Sequence, residues 1–327
     1  MQAIGGYFSL ELPQCEEYHK TPLSTGEGAG VRLLRLNTGR NCLEYILRAR
    51  GYKKVYIPYY TCEVILEPFR KLGVSYEFYH VDINLEIRDH FTLMADEALL
   101  YTNYFGLKQR YVEHLAEKNG KRLIVDNTQA FYAKPIEGID TFYTCRKFFG
   151  VPDGAYLYTN SVLEDEYEQD KSYNRFTHLL KRIDISAEEG YADFRRNDYG
   201  LDNQPIHMMS QLTQRMMQGI DYDTIADQRR KNYEILHAAL SSRNDLHLGL
   251  ADDAVPMAYP YFIQEEGLRE RLIENKVFVA RYWPNVLEWT SKDSIDYNLA
   301  LQIHPLPIDQ RYGEDEMNKI IKVISNQ

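Results

Sequence analysis

The chain has 327 residues, 44% apolar and 26% charged, with a formal net charge of −10. That length allows one large domain and a smaller one. The acidic balance argues against a nucleic-acid groove, and no run approaches the ~20 apolar residues of a membrane span. Cys15, Cys42, Cys62 and Cys145 are scattered without a C-x-x-C pair, as reduced thiols of a cytoplasmic protein are, and unlike a disulfide frame or a zinc site. The first residues, MQAIGGYFSLELPQ, have neither the basic start nor the apolar core of a signal peptide. The 27 tyrosines suit a polar-lipped cleft or an interface, since Tyr buries area yet keeps a hydroxyl; composition drift is the plainer alternative.

Residues 1–30 read as irregular, and the Gly-rich STGEGAG at their end reads as a loop because it neither follows a strand nor opens a periodic helix. Alternation follows. Apolar spacing predicts helices over 40–50, 61–72 and 109–118, and strands over 54–57, 74–81, 98–102, 122–126, 140–145 and 155–159. Strands alternating with helices imply a mainly parallel sheet covered on both faces. Beyond Asn160 the pattern predicts helices over 163–183, 207–217 and 221–240. A small α+β unit follows, with strands over 257–263, 277–280 and 299–304 and helices over 266–274 and 315–324. The methionine stripe of 208–217 reads as packing. A boundary in the helix near residue 225 divides the chain into 1–225 and 226–327.

Two residues stand out. Asp126 ends the apolar run Leu123-Ile124-Val125, and Lys147 follows the next strand. Alone, Lys147 is a surface lysine and Asp126-Asn127 a turn cap. Together, an amine and a carboxylate at strand ends of one sheet suit pyridoxal phosphate chemistry: the amine forms a Schiff base and the acid pairs with the pyridinium nitrogen. Arg146 is expected on the opposite face, by strand alternation. Thr38-Gly39-Arg40 opens the first helix, where free N–H groups hold phosphate, and Thr144 adds a hydroxyl. Tyr60 is a candidate to stack on a flat ring, and Tyr101, Asn103 and Tyr104 follow another strand end.

These segments resemble the fold type I pyridoxal phosphate enzymes, and among them the DegT/DnrJ/StrS sugar aminotransferases. LNTGRNCLEYIL is similar to the family's phosphate loop and first helix, LIVDNTQAFYA to its acidic segment, DTFYTCRKFFGVPDGAYLYT to its lysine segment, and DQRRKNYEIL to its domain-joining helix. The resemblance implies the aspartate aminotransferase-like α/β fold with a small C-terminal α+β domain. It implies pyridoxal 5′-phosphate bound through Lys147, with Asp126 at the ring nitrogen, Gln129 at the ring hydroxyl, and the Gly39 and Arg40 amides at the phosphate. It also implies an amino donor such as glutamate, a keto-sugar acceptor on a nucleotide, and a homodimer with interface sites. A sugar dehydratase or lyase, or a relative without turnover, are the alternatives. The sequence departs from the pattern at Phe142, where the family has a phosphate-binding Ser, and at Cys62, where it has a stacking aromatic. Asn203 and His207 are candidates for the group a neighbouring subunit supplies, and Arg281 for the cation that binds the donor carboxylate.

Overall fold

The computed structural model describes residues 10–20 and 31–325; the STGEGAG segment lies outside them. Seven strands form the central sheet: β1 (Arg32–Leu36), β2 (Lys54–Pro58), β3 (Ser75–Tyr79), β4 (Glu97–Thr102), β5 (Leu123–Asp126), β6 (Asp140–Thr144) and β7 (Ala155–Thr159). Their spatial order is β1-β7-β6-β5-β4-β2-β3. The pairings are parallel except the two made by β7, so β7 alone runs against the rest.

Helices α1 (Gly39–Arg50), α2 (Leu66–Leu72) and α3 (Gln109–Asn119) connect the early strands. Four more follow the sheet: α4 (Thr177–Asp184), α5 (Ala187–Gly200), α6 (Gln211–Gln218) and α7 (Tyr222–Leu240). The C-terminal part is the antiparallel pair β8 (Tyr259–Phe262) and β9 (Ile303–Leu306), with α8 (Leu268–Glu274), α9 (Val286–Trp289), α10 (Ile295–Gln302) and α11 (Glu314–Ile324). No described helix is long and apolar enough to cross a membrane.

Strand alternation divides the core in two. In β5, Leu123 and Val125 join the cluster that holds Val112 and Leu115 of α3, while Ile124 joins the cluster of Leu43, Ile46 and Leu47 of α1. The sheet is therefore helix-covered on both faces. Asp126 shares the parity of Ile124, which turns it toward α1. In α7, Tyr222 packs in the first of these clusters, whereas Tyr233, Leu236 and Leu240 pack with β8, β9 and α11. The tyrosines serve the core: Tyr79, Tyr101, Tyr104, Tyr132 and Tyr143 are buried and donate their hydroxyls to the carbonyls of Leu100, Leu85, Tyr60, Tyr222 and Ala133.

Several expected elements differ. The helix expected over 163–183 begins only at Thr177; the chain before it runs irregularly, and Gln169 bridges Met208. The expected 207–217 helix starts at Gln211, because Met208 and Met209 are extended and bonded to Glu168 and Arg35 carbonyls. β1 and α5 were not expected. Residues 277–280 form no strand, and most of the strand expected over 299–304 is the end of α10.

The Pro152-Asp153-Gly154 turn ties the sheet to α6. Asp153 accepts the Ser210 N–H and hydroxyl, both at 2.8 Å, and the Thr213 hydroxyl. Gly154 has φ +111°, and a Cβ there would lie 3.0 Å from Thr213 Cγ2 and 3.2 Å from Cys145 Sγ. Gly154→Ala is expected to cost about 1–3 kcal/mol and to lower the thermal unfolding midpoint. Gly200→Ala, which meets nothing within 4 Å, should leave that midpoint unchanged or higher.

Candidate active site

The position of α1 follows from its far end. Arg50 grips Asp140, the first residue of β6, through two bonds of 2.7 and 2.8 Å, the strong bidentate geometry of a guanidinium on a carboxylate. Twelve helical residues span ~18 Å, about the length of a five-residue strand. Anchoring the C-terminus at the start of β6 therefore brings the N-terminus to the carboxyl edge of the parallel strands. There Thr38 caps the helix, its side chain accepting the Asn41 N–H at 3.2 Å. The Gly39 and Arg40 amides have no partner among the described residues. A Cβ on Gly39 would stand 3.3 Å from Thr128 Cγ2 and 3.6 Å from the Phe142 ring, so glycine lets the helix start close against β5 and β6. The Arg40 side chain turns away to Glu67, at 3.0 Å, and to Asp202, and Arg40 offers this edge its backbone.

The edge opens into a cavity of ≈ 340 Å³, within the range of small-molecule sites. Thr38, Gly39 and Arg40 form one wall, Asp126 and Thr128 the floor after β5, and Thr144, Arg146 and Lys147 the end of β6. Thr61 and Cys62 follow β2, and Phe194 and Asp198 descend from α5. These groups come from sequence-distant loops, gathered where open parallel sheets bind ligands.

Lys147 and Asp126 are joined by Thr128. The Lys147 Nζ donates to Thr128 Oγ1 at 3.0 Å, and the Thr128 N–H donates to Asp126 Oδ1 at 2.8 Å. Among the described residues the second carboxylate oxygen has only the Thr102 hydroxyl, at a long 3.5 Å. Lys147 is solvent-accessible where it lines the cavity. Desolvation by the protein around the cavity still pushes its pKa down, with Arg146 assisting and Asp126, Cys62 and Asp198 opposing. Burial likewise pushes Asp126 up, against the pull of Lys147 and the Thr128 bonds. Both shifts favour the neutral forms. A lysine with a lowered pKa is a better nucleophile than one at the ordinary value, and a buried acid with one poorly bonded oxygen can receive a cation.

No family model matches the chain, and no curated protein matches it. Solved structures do. A DegT DnrJ EryC1 StrS aminotransferase from Brucella abortus superposes with TM-score 0.61 at 15% identity, over 90% of this chain and 85% of that one. The E coli GDP-4-keto-6-deoxy-D-mannose-3-dehydratase with bound hydrated PLP superposes at 0.61 and 14%, over 90% and 87%. The sugar aminotransferase CalS13 from Micromonospora echinospora gives 0.56 and 14%, over 90% and 87%. The chain has the fold of the pyridoxal phosphate-dependent aminotransferases.

On this aminotransferase fold, six of the eight residues expected at the site line the cavity: Thr38, Gly39, Arg40, Asp126, Thr144 and Lys147. Two do not. The Gln129 Oε1 accepts the Phe105 N–H at 2.8 Å, supporting a residue held at φ 57°. Tyr60 is buried behind the wall, with ring centroids 4.6 Å from Trp283 and 5.5 Å from Tyr104; Trp283 reaches the cavity instead. Arg146 was expected to face away, but β6 ends at Thr144. The Phe148 and Phe149 N–H groups then both bond the Cys145 carbonyl, so strand alternation no longer applies and Arg146 lines the cavity, 2.8 Å from Asp198. Arg281 borders a different cavity with Arg269 and His304. Thr128 was missed, although a hydroxyl two residues after a strand-end Asp is an Asx-turn signal.

Because Asp126 binds its proton more tightly folded than unfolded, its charge costs stability as pH rises through its raised pKa. Asp126→Asn is expected to stabilise the cofactor-free protein at neutral pH by about 1 kcal/mol or more, raising its unfolding midpoint, and to lower the pKa of Lys147 further. Thermal melts, and the pH profile of Lys147 acetylation read by mass spectrometry, check the two effects.

Proposed function

We propose that this chain binds pyridoxal 5′-phosphate at the carboxyl edge of its sheet and transfers an amino group from an amino acid, glutamate first, to a nucleotide-linked keto-sugar. The observation that carries this reading is the Lys147–Thr128–Asp126 connection, an amine of depressed pKa hydrogen-bonded to the residue that orients a buried acid.

The residues fit the group. The poorly bonded Asp126 oxygen suits a pyridinium N–H. The unpartnered Gly39 and Arg40 amides, beside a cradle that a Cβ would fill, suit the phosphate. Thr144 would add its hydroxyl, and Phe142, in place of the serine the resemblance implies, packs on Gly39. When bound, the cofactor supplies an electron-withdrawing ring that stabilises negative charge on the substrate carbon beside the nitrogen.

The chain's own groups do the rest. Asp126 holds the ring-nitrogen proton in place. Lys147 Nζ takes the proton from the Cα of the donor, aided by a pKa already below that of free lysine. The Thr128 hydroxyl fixes the direction of that amine. Trp283 and Phe194 screen the cavity from water. A second copy of the chain belongs to the proposal; the apolar side chains of Leu180, Ile183 and Tyr191, 57%, 80% and 59% exposed on α4 and α5, offer it a face to cover.

The likeness to a keto-sugar dehydratase supports sugar dehydration as a second reading, and one experiment separates the two. Glutamate added to the pyridoxal phosphate-loaded protein is expected to bleach its yellow colour and release 2-oxoglutarate. Lys147→Ala should slow that release by about 10²–10⁴-fold. Colour unchanged by glutamate and other amino donors, with water lost from a keto-sugar, would establish the second reading.

A further inference from the structure

A second cavity, of ≈ 450 Å³, adjoins the first and shares Arg146, Lys147 and Phe194 with it. Its wall is strongly basic. Four arginines line it, Arg146, Arg182, Arg229 and Arg311, against a single carboxylate, Asp309. Asp309 is already held by Arg311 through bonds of 2.6 and 2.8 Å, and Arg146 is paired with Asp198. Arg182 and Arg229 have no carboxylate within 4.0 Å among the described residues.

Arg229 is the unusual member. It is 1% exposed, and its nearest bonded acceptors are neutral carbonyls, Met257 O at 3.0 Å, Pro256 O at 3.4 Å and Phe148 O at 3.5 Å. Its charge lies over the Phe148 ring, 4.6 Å from the centroid, and its Nε has no partner among the described residues. Burial pulls its pKa down to about 10, which still leaves the guanidinium charged at neutral pH. The nearest opposing charge, Asp309, attracts it from beyond ion-pair distance and is already held by Arg311, and a buried charge so weakly countered is costly. Among the described residues, Nδ1 of the buried His178 and Oε1 of Gln310 also lack a partner, and both residues line this cavity. The Gln310 Nε2 and Arg229 Nη2 both reach the Phe148 carbonyl, one residue beyond Lys147.

We propose that this cavity is the subsite for an oxyanion, a carboxylate or a phosphate, of the substrate that reacts at Lys147. An anion there would give Arg229 the close ion-pair partner that Asp309 does not supply and would pair with Arg182 at the rim, and it would lie beside the Lys147 amine. That the anion belongs to the substrate rests on the reading of Lys147 given above; that the cavity binds an oxyanion does not.

Calorimetric titration with glutarate and with inorganic pyrophosphate, at constant ionic strength, tests the proposal on the protein with and without added pyridoxal phosphate and on Lys147→Ala. At least one anion is expected to bind in all three. Arg182→Ala, an exposed position that should fold normally, is expected to weaken binding about tenfold, the scale of one charge-assisted hydrogen bond. Arg229→Lys should weaken it at least as much, and Arg215→Ala on α6 should not. Preference for glutarate assigns the cavity to the carboxylate of the amino donor; preference for pyrophosphate assigns it to the phosphates of the acceptor. Binding of neither anion, or affinity that Arg182→Ala leaves at the Arg215→Ala value, would overturn the proposal. Anion binding with these variant effects in a protein that never takes up pyridoxal phosphate would remove the functional reading alone.

Discussion

A carboxylate taken out of water at the end of a buried strand, with only one of its oxygens well bonded, is the constraint around which this structure is arranged. Asp126 receives one strong hydrogen bond, from the Thr128 N–H, and its other oxygen is left to a hydroxyl at 3.5 Å. An acid so placed shifts toward its neutral form or waits for a cation. The same threonine receives the Lys147 amine on its hydroxyl. One short turn thus sets the spacing between acid and amine, and desolvation by the surrounding protein pushes both toward their neutral forms.

The rest of the large sheet serves that spacing. Parallel pairing of β4, β5 and β6 aligns Thr102, Asp126 and Phe142 across one edge. The Arg50 fork on Asp140 fixes α1 in register with those strands, so its unpartnered amides arrive at the same edge. The Gly154 N–H bonds the Asn37 carbonyl at 2.7 Å, and the Gly154 carbonyl accepts the Cys145 N–H at 3.0 Å. The turn that carries Lys147 is thereby tied to the loop that opens α1. The cost of burying Asp126 and Arg229 is of the kind that functional sites retain at the expense of stability.

The alternation of strand and helix, and the acid and amine at strand ends, were legible in the sequence because each is a local pattern. The apolar run of β5 stops at a charge, and the residues of β6 and β7 alternate between two cores. What stayed hidden depended on partners far along the chain. The α5 segment, AEEGYADFRRNDYG, is polar nearly all round and lacks the apolar stripe that announces a packed helix, yet it supplies Phe194 and Asp198. The run Leu299–His304 is apolar enough for either state, and the structure divides it between the end of α10 and β9. Gln129 fits a ligand-facing pattern in sequence, but the unusual backbone of Phe105 takes its carbonyl. The basic cavity combines α4, α7 and the segment after β9, a juxtaposition no spacing reveals.

Borohydride reduction of the pyridoxal phosphate-treated protein, followed by peptide mass mapping, tests the central claim most directly. A pyridoxyl adduct is expected on Lys147, absent when Lys147 is replaced by Ala. An adduct spread over surface lysines, or none at all, would contradict it.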